Sequence, residues 1–285
     1  MAAQMLRIFV LNLLVACAMV SQAFAQNAAT ASPTYPPDIQ KIKDRGQLIV
    51  AMHSIDLIPY LMSDSSGNLC GNDVDLAKSL ADELKVGITF DRTAKTFNEI
   101  VDIVASGKAD IGLSTLSRTL ARAEKVRFSN PYVVVRPVLV LNRVAAAKLN
   151  LGGSLAEMAR FSGLIGEPKG NSYVGFAKRV SPKATVVEFD TWDETFNAVN
   201  EGRVVATFRD EIGVKNYLNR YPERAVQLSM LSIDNPAMAD GLGIAVNSQS
   251  LQLLGFINLY LEMKYPIRKA DDLMRIYAKY YKNLQ

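Results

Sequence analysis

The chain has 285 residues, with 32 Lys and Arg against 28 Asp and Glu, a net charge of +4, one histidine and two cysteines. The basic residues are interspersed rather than blocked, so nucleic acid is not indicated as a partner. One His and two Cys make no soft-ligand cluster, and the acidic residues follow no calcium-loop pattern, so neither a metal nor a cofactor is expected.

Met1 to Ala25 carries a single charge, Arg7, then an apolar run from Ile8 to Val20 and a small-x-small site at Ala23-Phe24-Ala25. That is the form of an export signal, and it places the mature protein in the periplasm. A spanning helix is disfavoured, because the apolar stretch is short and interrupted by Asn12 and Ser21. Leu14-Val15-Ala16-Cys17 also has the look of a lipoprotein cleavage box, ranked second because the residues after Cys17 stay apolar where a tether turns polar. Removal of residues 1–25 takes away Arg7 and Cys17, which lowers the net charge to +3 and leaves Cys70 as the single cysteine. One cysteine makes no internal disulfide, and a chain of this length buries a sufficient core without one. Cys70 is expected to be a packed or partly covered thiol.

Residues 26–37 are small, polar and proline-bearing, and read as a flexible tether. Ile39 to Arg45 is expected as a short helix closed by Gly46, followed by a strand Leu48–Met52 and a loop from His53 to Tyr60. Ser63 to Asn68 reads as a hairpin turn, and Asn72 opens a helix with Val74, Leu76, Ala77, Leu80, Ala81 and Leu84 on its apolar face. A strand at Ile88–Phe90, a helix from Phe97 to Ser106 and a strand from Ala109 to Leu113 complete a first alternating unit. Ser114, Thr115 and Ser117 lie on the turn after that strand, and Thr119 is a candidate cap for a helix reaching Val126. Val133 to Val140 is a β-branched run long enough to leave one lobe and enter another. A second unit then repeats the plan: strand 163–166, helix 172–180, strand 185–188, a helix capped by Asp190 or Thr191, strand 204–208 and helix 211–219. Gly241–Val246 is expected as a strand, followed by an amphipathic helix bearing Leu251, Leu254, Ile257 and Leu261, with the chain returning to the first lobe. Strands and helices alternating at this spacing specify an α/β fold with parallel crossovers.

In open α/β sheets ligands sit beyond the carboxyl ends of strands. Arg122 falls in the first turn of its expected helix, where a cation opposes the helix dipole at a cost of up to ~1 kcal/mol unless an anion lies beside it. A ligand carboxylate would serve, since guanidinium offers a two-pronged donor and the neighbouring hydroxyls supply further bonds. The competing explanation is an exposed Arg122 paired with Glu124 or Glu99. In the second unit Gly170 permits close backbone approach, and Asn171 and Ser172 offer N–H groups at a helix N-terminus. Asp210 follows the last strand with the opposite charge, though it also suits the helix cap of 211–219. Together they match an α-amino acid, with its carboxylate at Arg122 and the N–H cradle and its ammonium at Asp210.

The segment Asp110 to Tyr132, DIGLSTLSRTLARAEKVRFSNPY, resembles the signature of the extracytoplasmic solute-binding proteins of family 3, the polar amino acid receptors of ABC importers. Gly71 to Ala77 and Gly202 to Asp210 resemble two further motifs of that family. The resemblance implies an α/β, two-lobed periplasmic-binding-protein fold of type II, each lobe a mixed, mostly parallel sheet flanked by helices, with a hinge between lobes. Lobe one would comprise 38–134 plus 241–285 and lobe two 135–240, the two closing over the ligand in the manner of a Venus flytrap. By position the family assigns the carboxylate to Arg122 with Thr115 and Ser117, the cradle to Asn171 and Ser172, and the ammonium to Asp210 with Ser114. It makes Phe97 a pocket wall and puts Leu57 where many members stack an aromatic. Ser54, Asp56, Tyr60 and His53 share that first loop as candidate pocket residues, His53 more as a structural residue than a contact. Trp192 is expected to pack within lobe two, with a role at the rim left open by its flanking acids Asp193 and Glu194. The implied partners are a small amino acid, or related carboxylate, and an ABC importer permease in the inner membrane, with the protein a monomer and no catalytic residue. Two alternatives remain open: a cyclohexadienyl (prephenate or arogenate) dehydratase on the same fold, and a partner of a periplasmic sensor or dehydrogenase.

Overall fold

The computed structural model describes residues 35–64 and 66–278. The export signal, the cleavage box at Cys17 and residues 26–34 of the tether lie outside the described residues. Pro37, assigned to the tether, instead opens the first helix, Pro37–Arg45. Proline is accepted there because the first helical N–H has no helical partner to lose, and the helix closes on Gly46 at φ 70°.

The two alternating units build two sheets on one plan. In the first, strand Gln47–His53 pairs in parallel with Gly87–Ala94 on one side and Ile111–Gly112 on the other. In the second, Leu164–Pro168 pairs in parallel with Thr185–Phe189 and with Ala206–Asp210. The crossovers are helices Asn72–Glu83 and Phe97–Ala105 in one unit, and Ser172–Val180 and Trp192–Asn200 in the other. Each sheet then gains a reversed strand and one more beyond it: Ala245–Asn247 with Val126–Phe128, and Pro137–Asn142 with Leu228–Ser232. Among the described residues this makes two five-stranded sheets in which one strand runs against the other four.

Two chain segments cross between the sheets, and both differ from the single strands expected of them. The run 133–140 is two strands, Val133–Val135 and Pro137–Asn142, in different sheets. Pro137 holds the residue before it extended and has no N–H to continue the first ladder, so the chain changes sheet at Arg136. The returning segment is likewise split into Asp240–Leu242 and Ala245–Asn247. The two crossing strands pair antiparallel, with Asp240 opposite Val135 and Leu242 opposite Val133, and Arg268–Lys269 adds a third strand. This small sheet is the junction between the lobes.

Apolar helix faces cover both sheets. Leu48, Val50, Leu76, Leu80 and Ile111 belong to one core, and Leu139, Ile165, Phe176 and Phe208 to another. The opposite side of the second sheet buries Phe196 and Tyr217, whose rings stack at 4.0 Å. Fully buried rings such as Tyr132, Phe196 and Phe208 each contribute ~2–3 kcal/mol by area removed from water. The last long helix, Leu251–Lys264, buries Leu253, Ile257 and Leu261, while the expected Leu251 is 58% exposed. Its inward stripe therefore begins two residues later, at i, i+4 and i+8 spacing.

At Gly71 the backbone has φ 116°, and a Cβ there would lie 2.5 Å from the Tyr60 carbonyl oxygen. Glycine is the residue that meets both demands. It brings the loop ending at Tyr60 against the start of helix Asn72–Glu83, with the Asn72 and Asp73 N–H groups donating to the Pro59 and Tyr60 carbonyls.

Candidate functional site

The turn after Ile111–Gly112 is the first wall of the site. Its three hydroxyls leave it in different directions. Ser114 is fully buried, and its Oγ accepts from the His53 N–H at 3.1 Å, so it does not reach the cleft. Thr115 sits at φ 51°, a strained setting for a β-branched residue. Its N–H donates to Asp73 Oδ2 at 2.8 Å, which holds the turn in that shape. Ser117 faces the cleft, its Oγ 2.8 Å from Ser172 Oγ and donating to Asp240 Oδ2 at 2.6 Å.

Thr119 caps the next helix, accepting from the Arg122 N–H. The helix is a single turn, Leu120–Ala123, and the chain turns into strand Val126–Phe128 instead of continuing. The dipole conflict expected at Arg122 therefore has no long helix behind it. Nor does Arg122 pair with Glu124 or Glu99. It is 6% exposed, and its guanidinium donates to Asn98 Oδ1 at 3.1 Å, the Ser117 carbonyl at 3.0 Å and the Gly170 carbonyl at 3.2 Å. Burial lowers its pKa to about 10, opposed by Asp240, so it remains a cation at neutral pH.

Gly170, at φ 66°, brings the opposite lobe up to Thr96, where a Cβ would lie 2.9 Å from Thr96 Cβ. The cradle expected beyond it is partly occupied. The Asn171 N–H donates to the Pro168 carbonyl, and Asn171 Oδ1 caps helix Ser172–Val180 by accepting from the Tyr173 N–H at 2.9 Å. What this corner offers the cleft is chiefly the Ser172 hydroxyl. A third cross-cleft bond runs from Asn216 Nδ2 to the Ile58 carbonyl.

Asp210 caps helix Glu211–Arg220, with Oδ1 accepting from the Gly213 N–H at 2.8 Å. The capping role does not take it out of the cleft, since it lines the same cavity as Arg122. Its Oδ2 has Arg209 Nε at 3.9 Å. Arg209 sits over Trp192, its guanidinium carbon 4.0 Å from the ring centroid. Gly213 leaves it room, because a Cβ there would overlap the guanidinium.

These walls enclose a cavity of about 770 Å³. Leu57, Tyr60, Phe97, Thr115, Ser117, Arg122, Asn171, Ser172 and Asp210 all line it. Ser54 is exposed, and neither it nor Ser114 is part of the lining. His53 lies beneath, its ring 5.0 Å from Phe97, and burial lowers its pKa to about 4, which keeps it neutral. Asp56 is at the wall but is paired with Arg92 at 3.0 Å. Trp192 and Arg209, the latter at the end of the strand that leads to Asp210, also line the cavity, as do Asp240 and Tyr173, which sequence reasoning did not place there. Asp240 comes from the junction strand, and nothing local in the sequence marks it. Burial, with Asp210 nearby, raises its pKa to about 6 against the opposing effects of Ser117 and Arg122.

The profile of the bacterial extracellular solute-binding proteins, family 3, matches residues 48–283. The chain belongs to that family. Among its family 3 relatives, ABC transporter arginine-binding protein 1 of Escherichia coli (strain K12) is 25% identical over 70% of this chain and 78% of its own length. The arginine-binding periplasmic protein of Mannheimia haemolytica is 23% identical over 95% of this chain and 96% of its own. These relatives are substrate-binding proteins, not enzymes. The crystal structure of the ancestral amino acid-binding protein AncCDT-1, a precursor of cyclohexadienyl dehydratase, superposes with a TM-score of 0.62 at 26% identity, covering 86% of this chain and 98% of that one. The two-lobed type II fold implied by the signature is thus the fold of this family 3 member. No helix among the described residues is long and apolar enough to cross a membrane.

Proposed function

We propose that the protein is a periplasmic receptor that captures a small amino acid, or a related carboxylate, between lobe 38–134 plus 241–285 and lobe 135–240. It then hands the ligand, as a monomer, to an inner-membrane ABC importer permease. The observation that carries this is one cavity lined by Arg122 from the first lobe and by Asp210 from the second. Opposite charges on facing walls of a largely desolvated cleft select a zwitterion. The carboxylate lies against Arg122, Ser117 and Ser172, and the ammonium against Asp210. Phe97, Leu57, Tyr60 and Trp192 form the apolar wall for the side chain. The arginine-binding names of two relatives put L-arginine first among the ligands to try.

A thermal-shift screen of the common L-amino acids tests this. A ligand at 100 times its Kd stabilises by ~2.7 kcal/mol, a rise in Tm of roughly 5–10 °C for lobes of this size. Asp210→Asn is expected to weaken the hit by at least ~100-fold, because it leaves a desolvated ammonium without its counter-charge. A panel with no hit, or near-normal binding by Asp210→Asn, would overturn it.

A further inference from the structure

Ser117 has one hydroxyl proton and three claims on it. In the ligand-free cleft that proton goes to Asp240 Oδ2, while Ser172 Oγ stands 2.8 Å away on the other lobe. Asp240 is also the acidic group that opposes the depressed pKa of Arg122. It therefore occupies the two groups, a serine hydroxyl and a guanidinium field, that a ligand carboxylate needs.

We propose that Asp240 is a resident rival for the ligand's carboxylate, and that it yields Ser117 and takes up a proton when an amino acid enters the cleft. The inference rests on amino acid capture at Arg122 and Asp210. Charge pairing within the cleft supplies the reason. The ligand's ammonium meets Asp210 and its carboxylate meets Arg122. Asp240, half-buried in the cleft wall, then has the Arg122 charge taken up by a second carboxylate beside it. An acid in that setting neutralises. The proton comes from solvent, and the resulting O–H donates to a carboxylate oxygen, so that repulsion becomes a hydrogen bond.

The charged and titratable groups around Asp240 agree with this sense. Asp210 at the end of its strand raises the pKa, whereas Arg122 from the single-turn helix and Arg179 from helix Ser172–Val180 lower it, and burial outweighs both cations. Tyr173, on that same helix, feels Asp240 and stays protonated, its own pKa raised by burial first. Three effects keep Asp240 ionised, the Ser117 hydrogen bond, Arg122 and Arg179, and a ligand carboxylate that takes Ser117 and neutralises Arg122 removes two of them.

Asp240 thereby sets affinity and its pH dependence. Binding weakens up to tenfold per pH unit as pH rises from the titration of ligand-free Asp240, about 6, toward that of the ligand-bound group. Asp240→Asn keeps the shape and supplies a permanent donor. The experiment is calorimetry of the full protein and Asp240→Asn with L-arginine and with L-glutamine, from pH 6 to 8.5, in phosphate and in Tris. The two buffers differ in ionisation enthalpy and so report protons exchanged. The parent protein is expected to take up close to one proton per ligand at pH 8, and Asp240→Asn none. At pH 8 Asp240→Asn is expected to bind ~10–100-fold tighter than the parent and with a flatter pH profile. Weaker binding by Asp240→Asn with no proton uptake by the parent would make Asp240 a ligand for the ammonium and overturn the inference. Binding by both proteins without proton exchange would overturn it too, leaving amino acid capture intact. If neither amino acid nor any other of the panel binds, capture itself is wrong and this inference falls with it. Melting of the ligand-free proteins gives an independent reading: Asp240→Asn is expected to gain in Tm over the parent at pH 8 and not at pH 4.5. Should asparagine disturb the junction, Asp240→Ser serves in its place.

Discussion

Replacing Arg122 by alanine is expected to weaken amino acid binding by ~10²–10⁴-fold. The estimate follows from the ~3–5 kcal/mol that is lost when one member of a buried ion pair is removed and the other is left without its counter-charge. The loss has two sources in this molecule. The ligand carboxylate loses its cation, and the cleft loses the bond from Arg122 to the Gly170 carbonyl, one of the bonds that join the lobes. Arg122→Lys separates them. Lysine retains the charge but lacks the planar fork that reaches Asn98, Ser117 and Gly170 together. It is therefore expected to recover only part of the affinity. Calorimetry measures both, with circular dichroism to confirm that the variants fold. An Arg122→Ala protein that binds within about threefold of the parent would show that the carboxylate lies elsewhere.

Asp73→Ala is expected to lower stability by ~3–5 kcal/mol and Tm by roughly 10 °C. Asp73 is fully buried, and its carboxylate accepts from the Thr115 N–H, the Tyr132 hydroxyl and Asn72 Nδ2 at 2.8, 2.9 and 3.0 Å. Alanine leaves all three donors without this acceptor, Asn72 Nδ2 and the Tyr132 hydroxyl on fully buried residues and the Thr115 N–H on a half-buried one, each costing ~1–3 kcal/mol when it stays unpaired. It also releases Thr115 from its strained φ, so the hydroxyl turn is expected to lose the shape that presents Ser117. Burial raises Asp73 from its ordinary value of 3.8 to about 6, despite three donors that favour the charged form. The folded protein therefore binds the proton more tightly than the unfolded chain does. This contribution to stability is largest below about pH 4 and falls as pH rises to about 6. Denaturant melts of the parent and Asp73→Ala should show the difference shrinking across that window. A difference that grows with pH would mean that Asp73 is stabilised as a carboxylate.

Local signals in the sequence carried far enough to give the architecture. Caps at Thr119 and Thr191, the glycine after Arg45 and the repeated order of strand and helix depend on neighbours within a few residues, which is the range over which a sequence reports its own structure. The single-turn helix at Leu120–Ala123 was not legible, because its early end follows from pairing of Val126–Phe128 with Ala245–Asn247, more than a hundred positions away. The three hydroxyls after Leu113 read alike in a row, yet the turn sends Ser114 to the His53 N–H and Ser117 to the cleft. Arg122 was singled out for a conflict with its helix, and the structure gives it a different reason to matter: three acceptors, one of them on the other lobe. Asp210 was divided between cap and ligand site, and its position allows both. Asp240 was invisible, since its importance comes from Ser117, 123 residues earlier.

The most direct measurement compares an amino acid that binds with two trimmed forms of itself. For L-arginine these are the decarboxylated amine and the Nα-acetyl derivative, titrated into the protein by calorimetry at one pH. If Arg122 and Asp210 hold the two ends of one zwitterion, each trimmed form is expected to bind at least ~100-fold more weakly than the parent amino acid. A decarboxylated or acetylated form that binds as tightly as the amino acid itself would contradict that arrangement.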